Sequence, residues 1–245
     1  MQTIVYIDAL NLYYRAVRDT PYRWLDPVAL SDVLLPGHEV TEVKYFTARI
    51  KAVPHDPGAP TRQQVYLRAL DTVNRLTIEP GFFNRRKSFF ALAMGKVGEG
   101  LSARERATSR LARIAFVKSG LLIMKGDPIP RIRIWKTEEK GSDVNLASHL
   151  LVDGFKNSYQ QAAVISNDSD LGWPVRYVRE TLGKPVVVLN PSTHRNEHLA
   201  PKGISAAEYK RIGIPELEAS QLPAELSDAK GQIHRPEGWD KAKKH

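Results

Sequence analysis

Hydrophobic and polar positions along the chain fall into short apolar runs that alternate with helix-period stretches. Residues 2–8 (QTIVYID) are rich in β-branched and aromatic side chains and end in an acid, which predicts a strand. A helical turn or two follows over 11–17. Asp26-Pro27 then opens a second helix, with Asp as N-cap and Pro in the first position, ending near Pro36-Gly37. Residues 41–50 (TEVKYFTARI) predict the next strand. After a breaker-dense loop at 54–60, Thr61 is expected to cap a largely buried helix over 62–74. Residues 76–83 predict a third strand, 131–136 (RIRIWK) a fourth and 162–166 a fifth. The run at 184–190 (KPVVVLN) is apolar throughout, as in a buried parallel strand. Helices are expected from Asp143 to about Lys156 and over 169–182. Strands alternating with helices predict an α/β fold whose parallel sheet is covered on both faces by right-handed crossovers.

Two segments break this rhythm. In 84–128, Ser88 to Met94 suits a hairpin strand and 102–115 a helix. Residues 191–245 scatter Pro, Lys, Glu and His with little periodicity. There a short helix at 205–212 and a frayed end are expected, the whole packing on the domain or on a partner.

Composition narrows the picture. The 245 residues are 42% apolar, enough for a packed core, and no window approaches 18 uninterrupted apolar residues, so no membrane-spanning helix is expected. The N-terminus enters a strand at once, which reads as an intracellular, cytoplasmic chain. The absence of cysteine excludes disulfides and thiolate metal sites. The net charge of +9 is concentrated: 84–128 holds 10 basic and 3 acidic groups, while 1–83 is neutral. A local basic patch suits a polyanion partner, although a solvated insertion has the same composition.

Acids mark the strand ends. Asp8 follows the first strand, Asp143 follows the loop after the fourth, and Asp168 and Asp170 follow the fifth. Parallel strands end on one edge, so these residues can converge although far apart in sequence. Like charges packed together repel, and a hard cation such as Mg²⁺ or Mn²⁺ removes the repulsion. Such a site can activate water against a phosphodiester. Asn11 lies one turn beyond Asp8 and can orient phosphate or metal-bound water. Ser166 and Ser169 can hydrogen-bond the carboxylates. Each acid also has a bland reading: Asp170 and Asp143 as helix caps, Asp8 as a partner of loop amides. His149 lies six positions after Asp143, about 240° round the helix, and points elsewhere. Arg62 and Gln63 open a helix on the same edge and can contact phosphate. Phe82, Phe83, Phe89 and Phe90 suit either core positions or base stacking.

Three blocks carry a resemblance. Val5-Tyr6-Ile7-Asp8-Ala9-Leu10-Asn11, Glu139-Lys140-Gly141-Ser142-Asp143-Val144-Asn145-Leu146-Ala147 and Val164-Ile165-Ser166-Asn167-Asp168-Ser169-Asp170-Leu171 resemble, in order, the motifs of NYN domains, the LabA-like branch of PIN-like nucleases. The likeness spans about 1–190, leaving 191–245 as an extension. It implies a PIN-like three-layer α/β/α fold with a mostly parallel sheet of five to six strands. It also implies a Mg²⁺- or Mn²⁺-dependent nuclease, usually acting on RNA. Asp8, Asp143 and Asp168 would be the metal ligands, with Asp170 and Asn11 in support. Asn167, His149 and Leu171 depart from the family pattern, and His149 leaves a fourth carboxylate open. On this reading Arg85, Arg86, Lys87, Arg104, Arg106 and Arg110, with Arg62, grip the nucleic-acid backbone by salt-sensitive contacts. The chain has no membrane partner and can form a homo-oligomer. The alternatives are a non-catalytic nucleic-acid-binding or regulatory module on the same fold, and another phosphoryl-handling enzyme. A phosphatase is disfavoured because residue 10 is Leu, and a Toprim-like site because Asp8 stands where a Glu is wanted.

Overall fold

The structure, a computed structural model, describes residues 1–52, 56–91, 131–200 and 204–242, with backbone alone over 84–91 and 131–140. The chain divides into two compact units, 1–83 with 139–245 and 84–138. The first unit carries the sheet and its helices.

β1 (Gln2–Asp8) runs straight into α1 (Ala9–Leu12), which continues as a π-helical turn, Tyr13–Val17. α2 (Pro27–Leu34) is capped by Asp26, whose carboxylate accepts from the amides of Val28 and Ala29. β2 spans Glu39–Ala48, two residues earlier than its pattern suggested. α3 (Ala59–Leu70) starts before Thr61: Gly58 is its N-cap and Pro60 falls in the first turn, where its missing N–H costs nothing. Much of α3 is only half-buried, less than its apolar count implied. β3 (Leu76–Ala91) runs longer than expected, followed by β4 (Arg131–Lys140) and α4 (Ser142–Phe155). β5 (Gln161–Ile165) ends in a 3₁₀ turn, Ser169–Leu171, and only then does α5 (Gly172–Glu180) begin. β6 is Val186–Asn190.

The tail differs most from expectation. In place of a helix at 205–212 there is a strand, β7 (Tyr209–Arg211), hydrogen-bonded in parallel to β6. Pairing with an existing sheet edge overrides local pattern. α6 (Ile214–Ala219) and an antiparallel hairpin, β8 (Glu225–Asp228) with β9 (Gly231–His234), complete the first unit. Within the segment expected to fray, Trp239 is instead buried against Trp24 and Tyr66, while residues 243–245 lie outside the described residues.

The sheet order is β4-β3-β2-β1-β5-β6-β7, and β3, β2, β1, β5, β6 and β7 run parallel. Alternation along the strands separates two cores. Val5, Ile7, Val43, Tyr45, Ala163, Ile165, Val187 and Leu189 face α1, α2, α3 and the tail. Ile4, Tyr6, Phe46, Ala162, Val164, Val186 and Val188 face α4 and α5. The result is a three-layer α/β/α arrangement. No helix among the described residues is long and apolar enough to cross a membrane.

Candidate metal centre

β1 is flanked by β2 on one side and β5 on the other. After β1 the chain leaves over one face of the sheet, and after β5 over the other, so the strand order reverses between them. Such a switch point opens a crevice at the carboxyl ends of the two strands, the usual ligand site of an open parallel sheet. Asp8 and Asp168 sit at those two ends. Asp143 joins them from the first turn of α4. Its helix is capped by Gly141 in the left-handed conformation (φ 95°), so Asp143 is not the N-cap. One carboxylate oxygen from each of the three aspartates lies within 4.8 Å of the others.

Ser166 ties two of the acids together. Its hydroxyl donates to Asp8 Oδ2 (3.0 Å) and accepts the Asp168 amide (3.1 Å). Asp8 Oδ1 accepts the amide of Asn11 (3.0 Å), and Asp168 Oδ1 that of Asp170 (3.0 Å). Each of these two aspartates therefore caps the turn that follows it while keeping its carboxylate at the crevice. Asp8 is 5% exposed, and Asp143 and Asp168 are half-buried.

The donor set fits a hard divalent cation. Three carboxylates with, among the described residues, no softer ligand suit Mg²⁺, Ca²⁺ or Mn²⁺ better than zinc or copper. Half-burial of two ligands leaves an open side for water or a second ligand.

The remaining expected residues fall elsewhere. Asp170 is exposed and outside the cluster, its amide capped by Asp168. Asn11 turns its side-chain oxygen onto the Asn167 amide (3.1 Å), bracing the loop that carries Asp168. Ser169 is exposed. His149 packs edge-on against Phe46 (5.4 Å) with Nδ1 3.9 Å from Glu79, and is not a fourth ligand of the cluster. Arg62 closes its guanidinium on Asp56 (2.6 Å). Side chains of Arg85, Arg86 and Lys87, and all of Arg104, Arg106 and Arg110, lie outside the described residues.

One bracing residue escaped the sequence reading. Asn196, in the loop after β6, donates to the Asn167 carbonyl (3.1 Å) and accepts the His198 amide (3.0 Å). Asn167 is thus held from both sides, by Asn11 and Asn196. The same loop packs so tightly on α5 that a Cβ at Gly172 would lie 2.8 Å from the His198 carbonyl oxygen. An asparagine among Pro, Ser and Thr reads locally as a turn residue, and nothing in the sequence ties it to residue 167.

No protein-family profile matches the chain. Among solved structures it is similar to a protein of unknown function from Vibrio parahaemolyticus, with 15% identity, a TM-score of 0.43, and coverage of 90% of this chain and 96% of that one. Among curated proteins it is 28% identical over 264 aligned residues to 6-hydroxy-3-succinoylpyridine 3-monooxygenase HspA of Pseudomonas putida strain S16, covering 98% of this chain and 75% of that protein. This likeness corrects the expectation of a Mg²⁺/Mn²⁺-dependent nuclease: a relative aligned along nearly the whole chain is a monooxygenase, which points to an oxidoreductase. The physical reason is plain, since a carboxylate cluster selects a hard cation but does not select the reaction carried out beside it.

Proposed function

We propose that this chain is an oxidoreductase of the monooxygenase kind, built on an NYN-like scaffold, with a divalent-cation site at Asp8, Asp143 and Asp168. Its substrate class is a small hydroxylated aromatic or N-heteroaromatic acid. The observation that carries the reading is the likeness to the Pseudomonas pyridine monooxygenase along 98% of this chain. The switch-point crevice supports it by offering a defined place for a cation, with Mn²⁺ favoured because it accepts oxygen ligands and can change oxidation state.

In a monooxygenase reaction one atom of O₂ enters the substrate, and the other leaves as water with two protons and two electrons from a reduced nicotinamide or flavin donor. A cation, when bound, supplies a fixed positive charge that stabilises an anionic oxygen beside it. The chain's own part is positional. Asp8, Asp143 and Asp168 hold the ion, Ser166 fixes the first and third of them, and Asn11 and Asn196 stop the Asn167 loop from drifting.

The test is aerobic incubation of the purified protein with 6-hydroxy-3-succinoylpyridine and related hydroxylated ring acids. NADH or NADPH, Mn²⁺, Fe²⁺ and free flavin are added in turn, while oxygen uptake and product mass are followed. The expected result is substrate-dependent uptake, incorporation of one atom of isotopically labelled O₂ into a product, and loss of both in Asp143→Asn. No uptake in any combination, or full uptake by Asp143→Asn, overturns the reading.

A further inference from the structure

On the opposite face of the sheet from the Asp8 side chain, a cavity of about 240 Å³ lies between α1, the π-helical turn, β2, α3 and the segment around Trp239. An engineered apolar cavity of about 150 Å³ already admits benzene, so this one has room for a substituted single ring. Its walls are aromatic: Tyr13, Tyr14, Tyr45, Tyr66 and Trp239. The far wall is rigid, because Tyr66 and Trp239 stand edge-on at 5.7 Å and both pack on the fully buried Trp24. The near wall includes the π-helical turn, a rare form that occurs frequently at functional sites.

The charges are equally informative. Arg23 lines the cavity and is 8% exposed, yet its guanidinium meets only backbone carbonyls: Thr20 (3.1 Å), Gly238 (2.8 Å) and Lys241. No carboxylate among the described residues pairs with it. A buried cation without a counter-ion is costly, and an incoming anion relieves that cost. Arg62, also on the lining, grips the carboxylate of Asp56, itself a lining residue, through two contacts of 2.5 and 2.6 Å, so a ligand carboxylate there shares the guanidinium with it. The fork geometry of arginine suits a carboxylate from a ligand as well as one from the chain. Glu237 also borders the cavity but is exposed, so water screens it.

We propose that this cavity binds a single-ring aromatic carboxylic acid, the ring lying among the tyrosines and Trp239 and the carboxylate drawn to Arg23 and Arg62. The ligand class follows from the cavity itself; that the bound acid is also the compound oxidised rests on the oxidoreductase reading. Ala9 and Leu10 on the cavity lining directly follow Asp8 in the chain.

Calorimetry and saturation-transfer NMR on the full chain, in the absence of any reductant, test the site. Benzoate, 6-hydroxynicotinate and 6-hydroxy-3-succinoylpyridine serve as probes, with cyclohexanecarboxylate and benzamide as controls. Saturable binding of the aromatic acids is expected, at least about tenfold tighter than either control. Arg62→Gln and Tyr14→Ala, both at partly or largely exposed positions that tolerate change, are each expected to weaken binding about tenfold. Absence of saturable binding, or equal binding by Arg62→Gln and Tyr14→Ala, overturns the proposal. Binding that follows this pattern without oxygen uptake sinks the oxidoreductase reading and leaves the site standing. Uptake that ignores both cavity variants does the reverse.

Discussion

Ser166 links Asp8 to Asp168 through one hydroxyl that both donates and accepts. Groups that orient metal ligands typically contribute 10- to 100-fold in affinity. Ser166→Ala is therefore expected to weaken Mn²⁺ binding by about that factor, read by calorimetry or by the loss of free-ion electron-spin resonance signal. Wild-type affinity in that variant would mean the crevice does not hold the ion through these carboxylates. The three aspartates were legible in the sequence because each follows a strand end or opens the next helix, and parallel topology brings such positions to one edge. Asn11 was legible as a partner of the site but not in its role, since one turn of helix fixes where its backbone lies and not what its amide meets. Asn196 was invisible, because its partner at 167 belongs to another loop and no periodicity connects the two.

Among the elements, the β8–β9 hairpin is held to α3 by Arg68, which forks onto Asp228 and also reaches the Gly231 carbonyl (2.8 Å). The guanidinium, helped by the Lys230 amide, lowers the Asp228 carboxyl from 3.8 to about 2. A lowered carboxylate stabilises the fold above its unfolded value and loses that contribution as pH falls through its folded one. The stability difference between wild type and Asp228→Asn is thus expected to be full above about pH 4 and to vanish near pH 2. Melting temperatures of both proteins across that range check it; a difference independent of pH would assign the effect to packing. Elements were legible in proportion to their length and regularity. β1, β5 and β6 are apolar runs of five to seven residues and were found nearly to the residue. β7 has three residues, two half-buried and one exposed, and exists only because β6 offers an edge.

Across the whole molecule, the first unit closes around an aromatic knot of Trp24, Tyr66 and Trp239, with the Trp24 indole donating to the Pro223 carbonyl (2.6 Å). Trp239→Ala empties one side of that knot and is expected to cost about 3–5 kcal/mol, the usual range for a buried large aromatic. Denaturant titration measures it, and a shift of the remaining tryptophan emission to longer wavelength should accompany it. A loss under 1 kcal/mol would mean that the tail is ornamental. The layered architecture was readable from alternation alone, because both faces of a parallel sheet must be covered. The reaction was not readable: carboxylates at a strand edge specify a cation, and the chemistry depends on what else is brought to it.

The pairing of Arg23 with the Gly238 carbonyl joins residues 215 positions apart. During synthesis the ribosome emits on the order of 5–20 residues per second, so the partner of Arg23 emerges roughly ten to forty seconds after it. For that interval Trp24, Tyr66 and the buried arginine have no cover. A nascent chain in this state exposes aromatic surface and is a natural client for a holding chaperone, and the aromatic cavity takes its final shape only when the last of its walls has left the exit tunnel.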